Sequence, residues 1–409
     1  MSKKVLCLGC FKREATEEQC ACGFRSHSTR LFALGTKLFN GRYKIGRELS
    51  HDECGITYLG FDEDLRIPVA IREYFPMEIA HRNQDSVVGT TVNSKVHQKA
   101  FEYGLNQFLK EARGLTNVDH LNVCKVLEIF KEKGTAYFVT EFNEGISLDE
   151  YLETHNKKIT ERFAINIMLP ILDGLKTVHK SGFLHGEINP KNVFLTTKGR
   201  PVLVNFGMAK HAIAKQYERL IDDNLPLHYG PSFLPTEVLG YGWHQPGPWT
   251  DIYSCGATLY FAVTGEKPPG APDRQEKDTL VAPEKLEPSI SPEFSKALTC
   301  ALSVRPEDRF QRIKEFQEAL IEARNRDSYQ RAFSDAAKDF AALVEDIHIE
   351  APLLDNGPSF LDLAAIELLW AMDAQPITKR FRQALTEQLH KPFPDKKIFI
   401  EFIHYWIKK

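Results

Sequence analysis

The sequence predicts an α+β fold, preceded by a short cysteine-rich segment and followed by an all-α module, and three observations carry that expectation. An ordered series of short motifs runs from Gly41 to Phe310. Cysteines crowd the amino terminus as Cys7-Leu8-Gly9-Cys10 and, nine residues on, Cys20-Ala21-Cys22-Gly23. Beyond about residue 326 the pattern changes to helices punctuated by Pro and Gly. The length of 409 residues allows about two to three domains, and 43% hydrophobic content suits packed cores. A formal net charge of -3 implies attraction to neither nucleic acid nor a membrane surface, and no apolar run reaches spanning length.

The first motifs are Gly41-Arg42-Tyr43-Lys44-Ile45-Gly46-Arg47-Glu48-Leu49, then Gly55-Ile56-Thr57-Tyr58-Leu59-Gly60, then Val69-Ala70-Ile71-Arg72-Glu73-Tyr74-Phe75-Pro76. Next come Phe108-Leu109-Lys110-Glu111-Ala112 and Tyr137-Phe138-Val139-Thr140-Glu141-Phe142. Downstream lie Gly247-Pro248-Trp249-Thr250-Asp251-Ile252-Tyr253, Ala257-Thr258-Leu259-Tyr260, Thr264-Gly265-Glu266-Lys267-Pro268-Pro269 and Arg305-Pro306-Glu307-Asp308-Arg309-Phe310. In order and spacing this series resembles the bacterial Ser/Thr protein kinase family over residues 40 to 325. The resemblance implies a two-lobed fold, with a small antiparallel β lobe, a hinge near 141–145 and a large helical lobe.

Phosphoryl transfer is mostly positioning plus neutralisation of phosphate charge, so each motif residue can be weighed against that need. A phosphate-covering Gly-x-Gly-x-x-Gly turn lets backbone approach the anion without a Cβ in the way. Here Ser50-His51-Asp52-Glu53-Cys54-Gly55 keeps only the last glycine. Asp52 and Glu53 would repel a polyanion, and the simpler expectation is a solvated turn that no longer covers phosphate.

Arg72 stands where the resemblance implies the lysine that holds the α- and β-phosphates and pairs with the third-helix glutamate, here Glu111. A planar guanidinium can bridge a carboxylate bidentately yet miss the point contact of an ammonium, so a structural role is expected for Arg72. Glu187 replaces the catalytic aspartate, and Asn189 replaces the lysine two residues on. Displacing a general base by about 1 Å can cost on the order of 10²-fold in rate. Gly186 replaces the arginine that meets an activation-loop phosphate, so control by loop phosphorylation is not expected. Asn205 replaces the metal-binding aspartate of Asp-Phe-Gly, leaving Asn192 as the other implied ligand. Mg²⁺ prefers carboxylate oxygens, so a dedicated Mg²⁺ site is doubtful unless nucleotide phosphates contribute ligands.

The residues that hold such a fold are retained. Leu115, His185 and Phe206 occupy the family's internal spine positions, and Asp251 that of the aspartate bracing the catalytic loop. Glu237 ends the activation segment, with Arg309 as its implied ion-pair partner. The pattern implies a kinase shell with weak or no catalysis, a pseudokinase, against the alternative of an unusual active enzyme. For a nucleotide, Ala70 is kept, Thr57 replaces the usual valine, and the backbones of Glu141 and Asn143 are the implied hinge partners. Gly55, Ala70, Arg72, Glu111, Glu141, Asn143 and Asn205 are thus the degenerate candidate ATP-binding set, with Glu187 and Asn192 catalytic if the protein is active. Phe194 replaces a smaller apolar residue, and the sequence leaves open whether ATP or this ring fills the pocket.

Residues 1–30 resemble the zinc ribbon found ahead of kinases of this group, with Cys7, Cys10, Cys20 and Cys22 as ligands of a structural Zn²⁺. The departure is Cys20-x-Cys22, one residue tight, and a disulfide pair or unligated surface thiols are the alternatives. No signal-peptide pattern opens the chain, so a reducing, cytoplasmic setting is expected. Cys54, Cys124, Cys255 and Cys300 lack ligand spacing, and buried thiols are the default, with Cys54 the exception because the degenerate phosphate loop could leave it exposed.

Residues 31–39 read as a linker. In the module at 327–409, helices are expected at Ser328 to Asp346, Phe360 to Met372, Ile377 to Leu389 and Ile398 to Ile407, with a break at Asn356-Gly357-Pro358. Residues 327–373 carry ten acids and two bases, net -8, and residues 374–409 three acids and eight bases, net +5. Two halves of a helical bundle that attract each other account for this, as does an exposed charged partner surface. Two functions from different classes remain. One is a non-catalytic signalling scaffold that meets other proteins through its kinase-like surface, ribbon or C-terminal helices. The other is an ATP-dependent Ser/Thr kinase of low activity, or another nucleotide-using transferase.

Overall fold

The computed structural model describes residues 5–6, 11, 14–15, 32–52, 54–77, 79–83, 88–90, 95–155, 157–207, 211, 232–239 and 244–328. Cys7, Cys10, Cys20, Cys22, Glu53 and the helices expected beyond residue 328 lie outside them. The chain divides into a strand-rich unit (1–120, 124–143, 206–228) and a helix-rich unit (121–123, 144–205, 229–409).

The strand-rich unit opens with a small antiparallel pair, β1 (Val5–Leu6) with β2 (Glu14–Ala15). Its main sheet contains β3 (Lys37–Leu38), β4 (Tyr43–His51), β5 (Gly55–Asp62) and β6 (Ile67–Tyr74). A second small pair, β7 (Ala80–Arg82) and β8 (Val88–Thr90), precedes helix α1 (Lys95–Leu115). Strands β9 (Val126–Glu132) and β10 (Thr135–Glu141) complete the main sheet in the order β3-β4-β5-β6-β10-β9, antiparallel throughout. Aromatic and β-branched residues make these strands, because they fit a pleated, packed surface. Helix α1 lies against the sheet through Phe101 and Phe108, whose rings pack on Tyr74 and, for Phe108, on Phe138.

Part of the stretch expected as a linker belongs to this unit. Leu38 is wholly buried in edge strand β3, and Phe32 is 4% exposed, its ring packed on Tyr58 and Tyr137. Both residues are too apolar to remain in solvent when a sheet is at hand. The Arg82 guanidinium lies 3.8 Å from the centre of the Phe32 ring and donates to Glu73 at 2.7 and 3.1 Å. Glu73 is fully buried and also accepts from the hydroxyls of Tyr58 and Tyr137. Burial and this neighbouring carboxylate push both tyrosine hydroxyls far above their ordinary range.

The helix-rich unit begins with β11 (Gly145–Ser147), which pairs with β12 (Val193–Thr196), itself paired with β13 (Pro201–Leu203). Helix α2 (Leu148–Thr154) starts in a capping box, Ser147 with Glu150, and α3 (Glu161–Lys180) is capped by Thr160. Then come α4 (Thr236–Leu239), α5 (Pro248–Thr264), α6 (Ala271–Glu276), α7 (Pro283–Leu286), α8 (Pro292–Ala301) and α9 (Ile313–Ser328). Helix α5 is apolar nearly all round and is the buried centre of the unit, with α3, α8 and α9 packed about one continuous core. Proline at its first turn and left-handed Gly265 (φ 76°) at its end set its limits. Helix α9 runs through the domain boundary expected near residue 325. Among the described residues no helix is long and apolar enough to cross a membrane.

Candidate functional site

Motif residues of the strand-rich unit gather at the β4–β5 turn. The register of β5 on β6 sets Thr57 opposite Arg72 and Gly55 opposite Tyr74, so Arg72 reaches the turn from the neighbouring strand. Its guanidinium meets the Asp52 carboxylate at 2.5 Å and donates to Thr57 Oγ1 at 3.2 Å. Burial disfavours the guanidinium's charge, but Asp52, with help from the charge of Glu111, more than offsets this and raises Arg72 above its ordinary value. The guanidinium's ion pair in this structure is with Asp52, and the charge of Glu111 adds to it.

Asp52 is not the solvated turn residue expected. Its other oxygen, Oδ1, accepts from the backbone N–H groups of Cys54 and Gly55, each at 2.9 Å. The side chains of Arg72 and Asp52 are only 10% and 22% exposed. Gly55 is required here by close approach: a Cβ would lie 2.4 Å from the Glu73 carbonyl oxygen and 3.6 Å from the Arg72 guanidinium carbon. The close approach of β6 thus requires a glycine at this end of the turn. Ala70 lies two residues before Arg72 on β6, and Glu141, the last residue of β10, is exposed, with its N–H given to the Lys125 carbonyl.

The catalytic-loop residues of the helix-rich unit are organised by Asp251, fully buried in the first turn of α5. Its carboxylate accepts from the backbone N–H groups of His185 (2.9 Å) and Gly186 (2.8 Å) and lies 2.7 Å from His179 Nε2. Burial opposes its charge, but His179 and these donors hold its pKa below the ordinary carboxylate value. His185 is wholly buried with Nε2 3.0 Å from the Val204 carbonyl, and desolvation lowers its pKa to about 4. Gly186 takes a φ of 76°, a left-handed value that a glycine adopts without strain.

The backbone carbonyl of Glu187 accepts from both Asn189 Nδ2 (3.1 Å) and Asn192 Nδ2 (2.8 Å), which fixes the loop as one unit. Asn192 Oδ1 in turn accepts from Asn205 Nδ2 at 3.2 Å. Asn205 sits at φ 55°, a backbone that asparagine tolerates better than most residues. The two amides in the metal-ligand positions therefore bond to each other and bring no negative charge. That donor set does not fit a dedicated Mg²⁺ site, which calls for carboxylate oxygens. Phe194, on β12 between buried Val193 and Leu195, is partly exposed.

The implied Glu237–Arg309 ion pair is present. Its contacts are 2.6 and 3.3 Å, both side chains have no exposure, and Thr250 donates to Glu237 while Arg309 also donates to three backbone carbonyls. Leu115, His185 and Phe206 are each buried. Sequence reasoning missed His179 altogether and missed the role of Asp52, which it placed in a solvated turn. For Asp52 a signal existed, because Asp-x-Cys-Gly is the pattern of a side chain capping its own turn.

A family model described as a protein kinase domain matches residues 77–322, which leaves the turn at Asp52 and Arg72 outside the match. Serine/threonine-protein kinase PknD of Chlamydia trachomatis serovar L2b is 24% identical over 314 residues, covering 68% of this chain and 31% of that protein. A probable serine/threonine-protein kinase of Clostridium perfringens is 26% identical over 218 residues, covering 52% of this chain and 31% of its own length. The chain thus spans about a third of the length of these relatives. The solved structure "PpkA-294 apo form" is 31% identical with a TM-score of 0.64, covering 71% of this chain and all of that one.

Proposed function

Because this chain belongs to the protein kinase domain family, we propose that it is a pseudokinase, a non-catalytic signalling scaffold with weak or no ATP binding. The observation that carries this reading is the Asn192–Asn205 pair, two neutral amides bonded to each other where phosphoryl transfer needs a metal held by a carboxylate. A second support is Arg72, whose charge is engaged by Asp52. Its partners would be other proteins, met through the kinase-like surface, the amino-terminal segment or residues 327–409. The Cys7-x-x-Cys10 pair lies in sequence between β1 and β2, and the Cys-x-x-Cys spacing suits a zinc ribbon.

A second reading, slow ATP-dependent transfer to Ser or Thr, draws on one observation. The loop that carries Glu187 and Asn192 is fully braced, through Asp251, His185 and the Glu187 carbonyl. Incubation with γ-labelled ATP and Mg²⁺ or Mn²⁺ separates the two. The scaffold reading expects no label on the protein or on a basic substrate protein, and expects Asn205→Asp to gain metal-dependent ATP binding. Label transfer by the parent protein, abolished by Glu187→Ala with unchanged stability, would overturn it.

A further inference from the structure

We infer that Asp52 is an internal stand-in for a phosphate group: its carboxylate fills the anion receptor formed by the Arg72 guanidinium and the N–H groups of Cys54 and Gly55, so a nucleoside triphosphate binds only by displacing it. This rests on the reading of the strand-rich unit as a weakened nucleotide site. Phosphate receptors are commonly built from consecutive N–H groups of a tight turn plus one cation. Both parts are here. Asp52 Oδ1 takes the two turn N–H groups at 2.9 Å, and Oδ2 takes the guanidinium at 2.5 Å. A single carboxylate therefore takes the N–H groups of Cys54 and Gly55 and one nitrogen of Arg72, donors that a phosphate oxygen would otherwise meet.

The receptor is held ready rather than dismantled. Gly55 brings the turn within reach of Arg72, where any Cβ would strike the β6 backbone. Thr57 Oγ1 steadies the guanidinium from the adjoining strand. A guanidinium this buried is costly without an anion bonded to it, and Asp52 fills that place here, with the charge of Glu111 adding support from further off. Apparent affinity for the ligand then falls in proportion to the fraction of molecules in which Asp52 has swung away.

The test is calorimetric titration of the full chain and its Asp52→Asn variant with metal-free ATP and, separately, with adenosine. Asparagine keeps an oxygen for the turn and removes the charge. ATP is expected to bind the variant about tenfold more tightly, the worth of one charged hydrogen bond at the low end, with adenosine unchanged. Adding Arg72→Met should abolish the gain. ATP binding that is equal or weaker in Asp52→Asn overturns the stand-in role and leaves the nucleotide site standing. Absence of binding of ATP and adenosine alike, in both proteins, overturns the role and the nucleotide site together. Asp52→Ser, which also keeps an oxygen for the turn, serves if thermal melting shows Asp52→Asn to be unfolded.

Discussion

His185 shows how one buried side chain ties the stability of the helix-rich unit to pH. Its ring is withdrawn from water beside Asp251 and His179, and its pKa falls from 6.5 to about 4. Between those values the unfolded chain binds a proton that the folded one does not. Stability is therefore full above pH 6.5 and lost as pH falls towards 4, by about 3 kcal/mol for this group alone. Urea unfolding at pH 7, 5.5 and 4.5 should show that loss, and His185→Phe should flatten it. A slope equal in parent and variant would remove His185 as the cause. The pairing of Glu237 with Arg309 and the bracing role of Asp251 were legible from motif position, because each role is fixed by the residue's place in the series. The partner of Arg72 was not, since two carboxylates were available and only the closure of the turn chooses between them.

Among the elements, the amino-terminal hairpin makes the clearest demand. Phe11, between β1 and β2, is 5% exposed and stacks on Phe61 at 5.4 Å, in a cluster with Leu59, Leu49 and Phe142. Phe32 packs on Tyr58, the next residue to Leu59, and successive strand residues point to opposite faces. Two aromatic side chains ahead of the main sheet are therefore seated on its two sides. Phe11→Ala should cost about 3 kcal/mol of the hairpin's attachment. Limited proteolysis should then cut the amino-terminal segment on the order of 10²-fold faster, as expected when cleavage follows the open population. An unchanged rate would mean that the ring contributes nothing. The sequence disclosed the strands of the main sheet through their motifs, but it read residues 31–39 as a spacer. The stretch is mostly apolar but too short and irregular to show a helix or strand period, and only the sheet beside it sets Phe32 and Leu38 in the core.

At the scale of the whole molecule, the helix-rich unit is closed by the Glu237–Arg309 pair, a fully buried charge on each side. Breaking such a pair strands the other charge, so Arg309→Ala should destabilise this unit by roughly 3–5 kcal/mol, read as a lowered Tm. A Tm within a degree of the parent would show the pair to be dispensable. The amino-terminal thiols make a separate prediction: native protein prepared without added metal should contain one Zn²⁺ per chain by elemental analysis, released by a thiol-reactive mercurial. A metal-free preparation with intact secondary structure would leave the disulfide or unligated-thiol alternatives.

The amino-acid sequence by itself determined the family, the order of the motifs and the loss of carboxylate at the metal position, because residue identity at a motif position decides charge and hydrogen-bonding capacity before any folding occurs. Only the tertiary structure decided where the remaining charges went. Arg72 took Asp52 because the β5–β6 register and the close approach at Gly55 bring the turn to it, and Asn192 and Asn205 satisfied each other because the braced loop sets them 3.2 Å apart. Those are distances between residues remote in the chain, which depend on packing rather than on composition or local pattern.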